Sequence, residues 1–151
     1  MPGVPRVFLN GIAMSVSHWS PLREFLSPSA ELLHDFKDQL RSGKASTGYD
    51  MQSHADELAE LLDELSIDSV RLIGTSYGAE VALLFALSFP ERCETLVLVG
   101  EHDILKTPAY SRLIHERIRG SHFDMIPGAG HAAVIEQPQA VAQGIEAFFS
   151  S

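Results

Sequence analysis

The sequence predicts an α/β fold: a doubly wound, mostly parallel sheet of five strands with helices on both faces, in one domain spanning 1–151. Three observations lead there. Short apolar runs alternate with longer segments of helical periodicity. The strand–helix pair recurs five times, and strands separated by helices run parallel. No repeat, low-complexity tract or Pro/Gly/Ser-rich linker divides the chain.

Residues 7–10 form an apolar run ended by Gly11, a first strand. Ser20-Pro21 reads as an N-cap and first helical position, with Leu22, Phe25 and Leu26 at helical spacing. Residues 31–34 make the second strand, and the polar, glycine-bearing stretch 36–49 reads as loop. Asp50 can cap the next helix, whose Met51, Ala55, Leu58, Leu62 and Leu65 share one face. Residues 69–74 form the third strand. The helix over 77–88 is apolar on nearly every side and should be buried. Pro90 ends it.

Residues 95–99 (TLVLV) read as the fourth strand, stopped by Gly100. Thr107-Pro108 opens a helix with Leu113, Ile114 and Ile118 inward, closed by Gly120. Residues 122–126 form a fifth, weaker strand. Pro138 begins the last helix, with Val141, Ile145, Phe148 and Phe149 as its apolar stripe. Ligands on such sheets bind beyond the carboxyl ends of the strands. The loops after Asn10, Gly74, Val99 and Ile126 are therefore where chemistry is expected.

Composition narrows the function. The chain has 151 residues, 45% of them apolar, enough to build a core without a disulfide or metal. It carries 20 acidic against 11 basic residues, a net charge of −9, which disfavours nucleic acid and anionic membrane as partners. The single cysteine, Cys93, reads as a structural thiol. No Cys/His cluster has zinc-ligand spacing. The start lacks a signal-peptide pattern and no stretch approaches 18 apolar residues, so a cytoplasmic protein is expected.

One constellation carries chemistry. Gly74-Thr75-Ser76-Tyr77-Gly78 fits G-x-S-x-G between a strand and an apolar helix, the setting of a nucleophile elbow. The glycines let the chain double back, and the helix N-terminus favours developing negative charge at Ser76. A serine nucleophile needs a base and an orienting carboxylate. Of seven histidines, His131 lies in a glycine loop directly after the last strand. The other six, His18, His34, His54, His102, His115 and His122, are expected mostly at the surface. Asp103 follows the fourth strand and would orient His131, with Glu101 as its nearest rival. The oxyanion donors are expected to be the N–H groups of Tyr77 and of Ile12, in the loop Asn10-Gly11-Ile12. Asn10 and Gly11 would lie against the substrate.

Together these segments resemble the α/β-hydrolase superfamily. The resemblance rests on VFLNG, on HDFKDQLRSGK with Asp35 and Ser42, on GTSYGAEVALLFALSFPER, on LVLVGEHDILKTP and on IPGAGHAAVIEQP. Members of that superfamily usually carry a strand after the segment written here as PER, then a helical cap, then another strand ending in the acid. Here PERCETLVLVGEHD runs straight on. The resemblance therefore implies a reduced core without a cap, of strand order 2-1-3-4-5. It also implies hydrolysis of small carboxylic esters through an acyl-enzyme, with no metal or organic cofactor. Serine in place of aspartate argues against dehalogenase or epoxide hydrolase chemistry. Thioesterase, lactonase, perhydrolase and carbon–carbon hydrolase activities share the machinery. A non-catalytic ligand-binding or signalling protein on the same fold, and an inactive scaffold that forms a homodimer through the face left open by the missing cap, are the remaining expectations.

Overall fold

The computed structural model describes residues 4–37, 39, 42–44 and 49–150. In chain order the elements are β1 (Arg6–Leu9), a 3₁₀ turn (Val16–Trp19), α1 (Ser20–Arg23), β2 (Glu31–His34), α2 (Met51–Glu64), β3 (Val70–Gly74) and α3 (Tyr77–Ser88). A 3₁₀ turn (Pro90–Arg92), β4 (Cys93–Glu94), β5 (Leu96–Gly100), α4 (Pro108–Arg117), β6 (His122–Ile126), α5 (Ala133–Glu136) and α6 (Pro138–Phe149) follow. They fall into two compact units, one of residues up to 16 with 29–94, the other of 17–28 with 95 onward.

The first unit holds a parallel four-stranded sheet of order β2-β1-β3-β4. Val7 pairs with Leu32 on one side and Leu72 on the other, and Leu9 with His34 and Gly74. Every residue of β1 is buried, as the central strand of a parallel sheet requires. Val7 and Leu9 join Val70 and Leu72 of β3, Ala55, Leu58 and Leu62 of α2, and Val81 and Phe85 of α3 in one apolar cluster. The stripe on α2 forms because Asp50 accepts the Ser53 N–H at 2.9 Å and sets the helix start. Leu65 lies past the end of that helix and is exposed.

The second unit is built on the parallel pair β5-β6, with Leu96 opposite His122 and Gly100 opposite Ile126. Its helices α4 and α6 pack on these strands, and α1 packs on α5 and α6. Val141, Ala142 and Ile145 are buried on α6. Ser27 ties the entry segment to α6, its N–H and hydroxyl both donating to Glu146 at 2.8 Å.

Several expectations are corrected. The fourth strand is two: Cys93 and Glu94 pair with Val70 and Arg71, and the chain then passes through Thr95 to β5, which pairs with β6. β4 has the expected neighbour β3 and β5 the expected neighbour β6, but the break at the polar Glu94-Thr95 divides the expected five-stranded sheet into one of four strands and one of two. In α1, Ser20 is the first helical residue, not its cap. Trp19 stands in the cap position, fully buried at the end of the preceding turn. The helix α3 is not buried all round: Val81, Phe85 and Ala86 are buried, whereas Leu87 is exposed. On α4 the inward residue is Ser111, and Leu113 is exposed. The short α5 was not anticipated.

Candidate active site

The first unit carries the serine. Beyond β3 the chain reverses at Thr75, whose N–H donates to the Leu9 carbonyl at 3.3 Å. Ser76 then takes φ 51° and ψ −119°, and Tyr77 begins α3. Few side chains tolerate positive φ, and such a residue costs about 1–3 kcal/mol that its surroundings must offset. The two glycines explain how the turn is held. A methyl group on Gly78 would lie 2.1 Å from the Leu9 carbonyl oxygen, so the first turn of α3 sits directly on the end of β1. A methyl on Gly74 would lie 2.5 Å from the Gly78 carbonyl oxygen. No larger residue fits at either place. As first residue of α3, Tyr77 has an N–H with no acceptor within the helix. The positive end of the helix dipole lies there too.

The loop after β1 comes up against this serine. A methyl on Gly11 would be 3.3 Å from both the Ser76 Cβ and the Thr75 carbonyl oxygen. The side chain of Ile12 is exposed. Asn10 does not fit the substrate contact expected of it. Its side chain is fully buried, and its Nδ2 donates to Asp35 Oδ1 at 2.6 Å and Gln39 Oε1 at 3.3 Å. Asp35 Oδ1 also accepts the Val16 N–H at 3.2 Å, and Gln39 Nε2 donates to the Gly11 carbonyl at 3.1 Å. Ser42 closes the set by donating to the Asp35 carbonyl at 2.6 Å. Asn10 thus fixes the shape of the loop. The Asp35 and Ser42 of the superfamily segment do the same, joined by Gln39, which sequence reading passed over.

A second feature missed from sequence lies beneath the elbow. Tyr77 Oη and His54 Nδ1 are 2.8 Å apart, and the His54 ring stacks on Phe36 at 4.9 Å. Phe36 meets Tyr77 and His34 edge-on. His54 is buried, not at the surface, and its Nε2 has no hydrogen-bond partner among the described residues. Its spacing from Met51, Ala55 and Leu58 was the available signal. Burial lowers the His54 pKa, and Lys37 adds to this, against Glu57 and Asp50. Burial likewise lowers His34, with His54 adding and Asp35 and Glu57 opposing. Burial raises the Tyr77 phenol.

These two histidines give stability a pH dependence. Below their ordinary value of 6.5 the unfolded chain binds protons that the folded chain refuses. Stability is therefore complete above about pH 6.5 and is lost as pH falls towards the folded values, at up to about 1.4 kcal/mol per pH unit for each. Urea unfolding at pH 7.5, 6.5 and 5.5 should show this fall, and His54→Gln should make it shallower. A flat response contradicts it.

The second unit carries the acid and the histidine. Gly100 ends β5 where a methyl group would lie 2.2 Å from the Gly130 carbonyl oxygen, so the acid loop and the histidine loop are in contact. The His102 N–H donates to the Ala129 carbonyl at 2.8 Å and binds the two loops together. Asp103, buried, accepts the N–H groups of Leu105 and Lys106 at Oδ1, both at 2.8 Å. Its Oδ2 lies 2.9 Å from His131 Nδ1. Burial pushes the Asp103 carboxyl up, but the Lys106 N–H, the His131 ring and the Leu105 N–H together hold it below the usual carboxylate value. An ionised Asp103 selects the His131 tautomer with its proton on Nδ1. Glu101, the rival, instead accepts the Gly128 N–H at 2.9 Å.

The predicted residues thus gather in two sets: Ser76, Tyr77 and Gly11 in the first unit, Asp103 and His131 in the second. Among the described residues no group of three or more His, Cys, Asp or Glu side chains could hold a metal ion. No helix among them is long and apolar enough to cross a membrane.

Comparison with known proteins supplies the wider context. The chain is 36% identical over 101 residues to the non-heme chloroperoxidase of Streptomyces lividans, covering 65% of this chain and 37% of that protein. It is 44% identical over 52 residues to 2-hydroxy-6-oxo-2,4-heptadienoate hydrolase of Pseudomonas putida, covering 34% and 19%. The matched stretch is thus well under half the length of either relative. Among solved structures, a thermophilic esterase from Thermogutta terrifontis superimposes with a TM-score of 0.87 at 20% identity, covering 99% of this chain and 90% of that one. The α/β hydrolase MGS-M2 from a Medee basin deep-sea metagenome gives 0.89 at 19% identity, covering 98% and 90%. The family model for the alpha/beta hydrolase fold matches residues 7–128. With its parallel strands and this match along most of its length, the chain belongs to the α/β-hydrolase family.

Proposed function

We propose that this chain is a serine hydrolase that cleaves small carboxylic esters through an acyl-enzyme. Ser76 Oγ attacks the ester carbonyl while His131 Nε2 takes its proton. The tetrahedral intermediate collapses, the C–O bond to the alcohol breaks, and His131 returns the proton to the leaving oxygen. Water, deprotonated by the same imidazole, then releases the acid and regenerates Ser76. Asp103 holds the ring and stabilises its charged form. The N–H groups of Tyr77 and Ile12 receive the oxyanion.

The observation that carries this reading is Ser76 itself, a non-glycine residue at positive φ on a strand-to-helix turn that two glycines make possible. Strain of that kind clusters at active sites and persists only where the surroundings hold it, as Gly74 and Gly78 do here. The passage from β4 to β5 through Thr95 alone supports a site without a cap at that point. An uncapped site would admit water and discriminate weakly among substrates.

The test is direct trapping. The protein is mixed with p-nitrophenyl butyrate, quenched in acid, digested and mapped by mass. A butyryl group on the peptide containing Ser76 is expected. Release of p-nitrophenol with no acyl group at Ser76, or acylation elsewhere, overturns the assignment. The names of the chloroperoxidase and dienoate hydrolase relatives favour perhydrolase or carbon–carbon hydrolase activity as the second reading. Peracid formation from acetate and hydrogen peroxide, and cleavage of a vinylogous diketone, distinguish these from ester hydrolysis.

A further inference from the structure

The ring of His131 is held by Asp103, but something must also fix the backbone from which that ring projects. His131 sits in Gly128-Ala129-Gly130-His131-Ala132, a segment rich in glycine and therefore costly to order. Its two flanking peptide groups share one acceptor. The Gly130 N–H donates to Glu136 Oε2 at 2.8 Å, and the Ala132 N–H to Glu136 Oε1 at 2.9 Å. A methyl group built on Gly130 would lie 3.1 and 3.2 Å from the two carboxylate oxygens. Gly130 is thus the residue that lets the carboxylate close on the loop.

We propose that Glu136 is a positioning residue for His131, acting through the backbone as Asp103 acts through the ring. This rests on the reading of His131 as the base. Glu136 ends the four-residue helix α5, and its side chain folds back over the start of that helix. Both of its oxygens are used, one on each side of residue 131. Charge-assisted bonds of this kind are about twice as strong as neutral ones. A purely capping role for α5 would use the Ala132 N–H and leave the Gly130 N–H, which precedes the histidine, unserved. With Asp103 Oδ1 anchored by two N–H groups of its own loop, the imidazole is fixed at both ends.

The test uses Glu136→Gln, which keeps one acceptor and sets an amide against the second N–H. Gly130→Ala, which displaces the carboxylate without changing it, is the second variant. Gly130 is not at positive φ, so alanine there is unstrained. On an ester substrate kcat should fall about tenfold or more in Glu136→Gln, because small misplacements of a catalytic group are costly. KM should stay within about threefold. Gly130→Ala should fall in the same direction by less. An unchanged kcat with only a lower Tm makes Glu136 a helix cap and overturns the proposal.

A readout independent of turnover comes from NMR. The downfield proton on His131 Nδ1 and the amides of Gly130 and Ala132 should exchange faster in Glu136→Gln than in the unaltered protein. Equal exchange overturns the proposal whether or not the protein hydrolyses esters. If His131→Ala leaves turnover intact while these protons respond to Glu136, the assignment of the base has failed and the backbone clamp stands.

Discussion

Ser76→Ala is expected to bring ester turnover down to the uncatalysed background plus whatever binding alone provides, a loss on the order of 10³-fold or more. The variant removes only the hydroxyl. The fold should survive, because alanine keeps the same Cβ against Gly11 and the same φ of 51°. Ser76→Gly makes a sharper companion. Glycine adopts positive φ without penalty, so the strain at the elbow is relieved while the nucleophile is again lost. Stability should rise by about 1 kcal/mol as activity disappears. Urea unfolding and p-nitrophenyl ester hydrolysis measure the two effects in one preparation. Turnover equal to that of the unaltered protein removes Ser76 from the chemistry.

Asp103→Asn is expected to cost up to about 10⁴ in kcat with little change in stability. The reason lies in how the two carboxylate oxygens are used. Oδ1 accepts the Leu105 and Lys106 N–H groups, and an asparagine carbonyl still accepts both, as weaker neutral bonds. Only the group facing His131 Nδ1 changes, from an acceptor at 2.9 Å to an amide donor. That reverses the tautomer preference, placing the lone pair on Nδ1 and the proton on Nε2, where the base is needed. Asp103→Ala should instead lose both loop contacts and be destabilised as well. A kcat in Asp103→Asn within tenfold of the starting value would show that His131 is oriented by another group.

Much of this arrangement could be read from residue order, and the parts that could are local. Asp50 and Thr107 accept N–H groups three residues on, as cap residues at those places should. The bounds of β2 and β6 follow from apolar runs between turn residues. The G-x-S-x-G spacing identifies the elbow because both glycines answer steric needs with the backbone of the turn and of β1. What could not be read depends on partners distant in sequence. The break between β4 and β5 depends on which strand each half pairs with, which the polar Glu94-Thr95 marks only as the start of an apolar run. The outward Leu113 reflects a short helix that rests on Ser111, where three apolar residues do not fix a face. Asn10 resembles a substrate contact until Asp35 and Gln39 claim its amide. His54 shares the spacing of the apolar face of α2, but the Phe36 and Tyr77 that enclose it are distant in sequence.

The functional assignment depends on His131 activating Ser76, and the rate at which a fluorophosphonate modifies Ser76 measures that coupling without any choice of natural substrate. Labelling followed by mass mapping, in the unaltered protein and in His131→Ala at pH 7.5, should show phosphonylation of Ser76 slowed by about 10³-fold or more when the imidazole is removed. Equal labelling rates in the two proteins, or label carried by a residue other than Ser76, would contradict it.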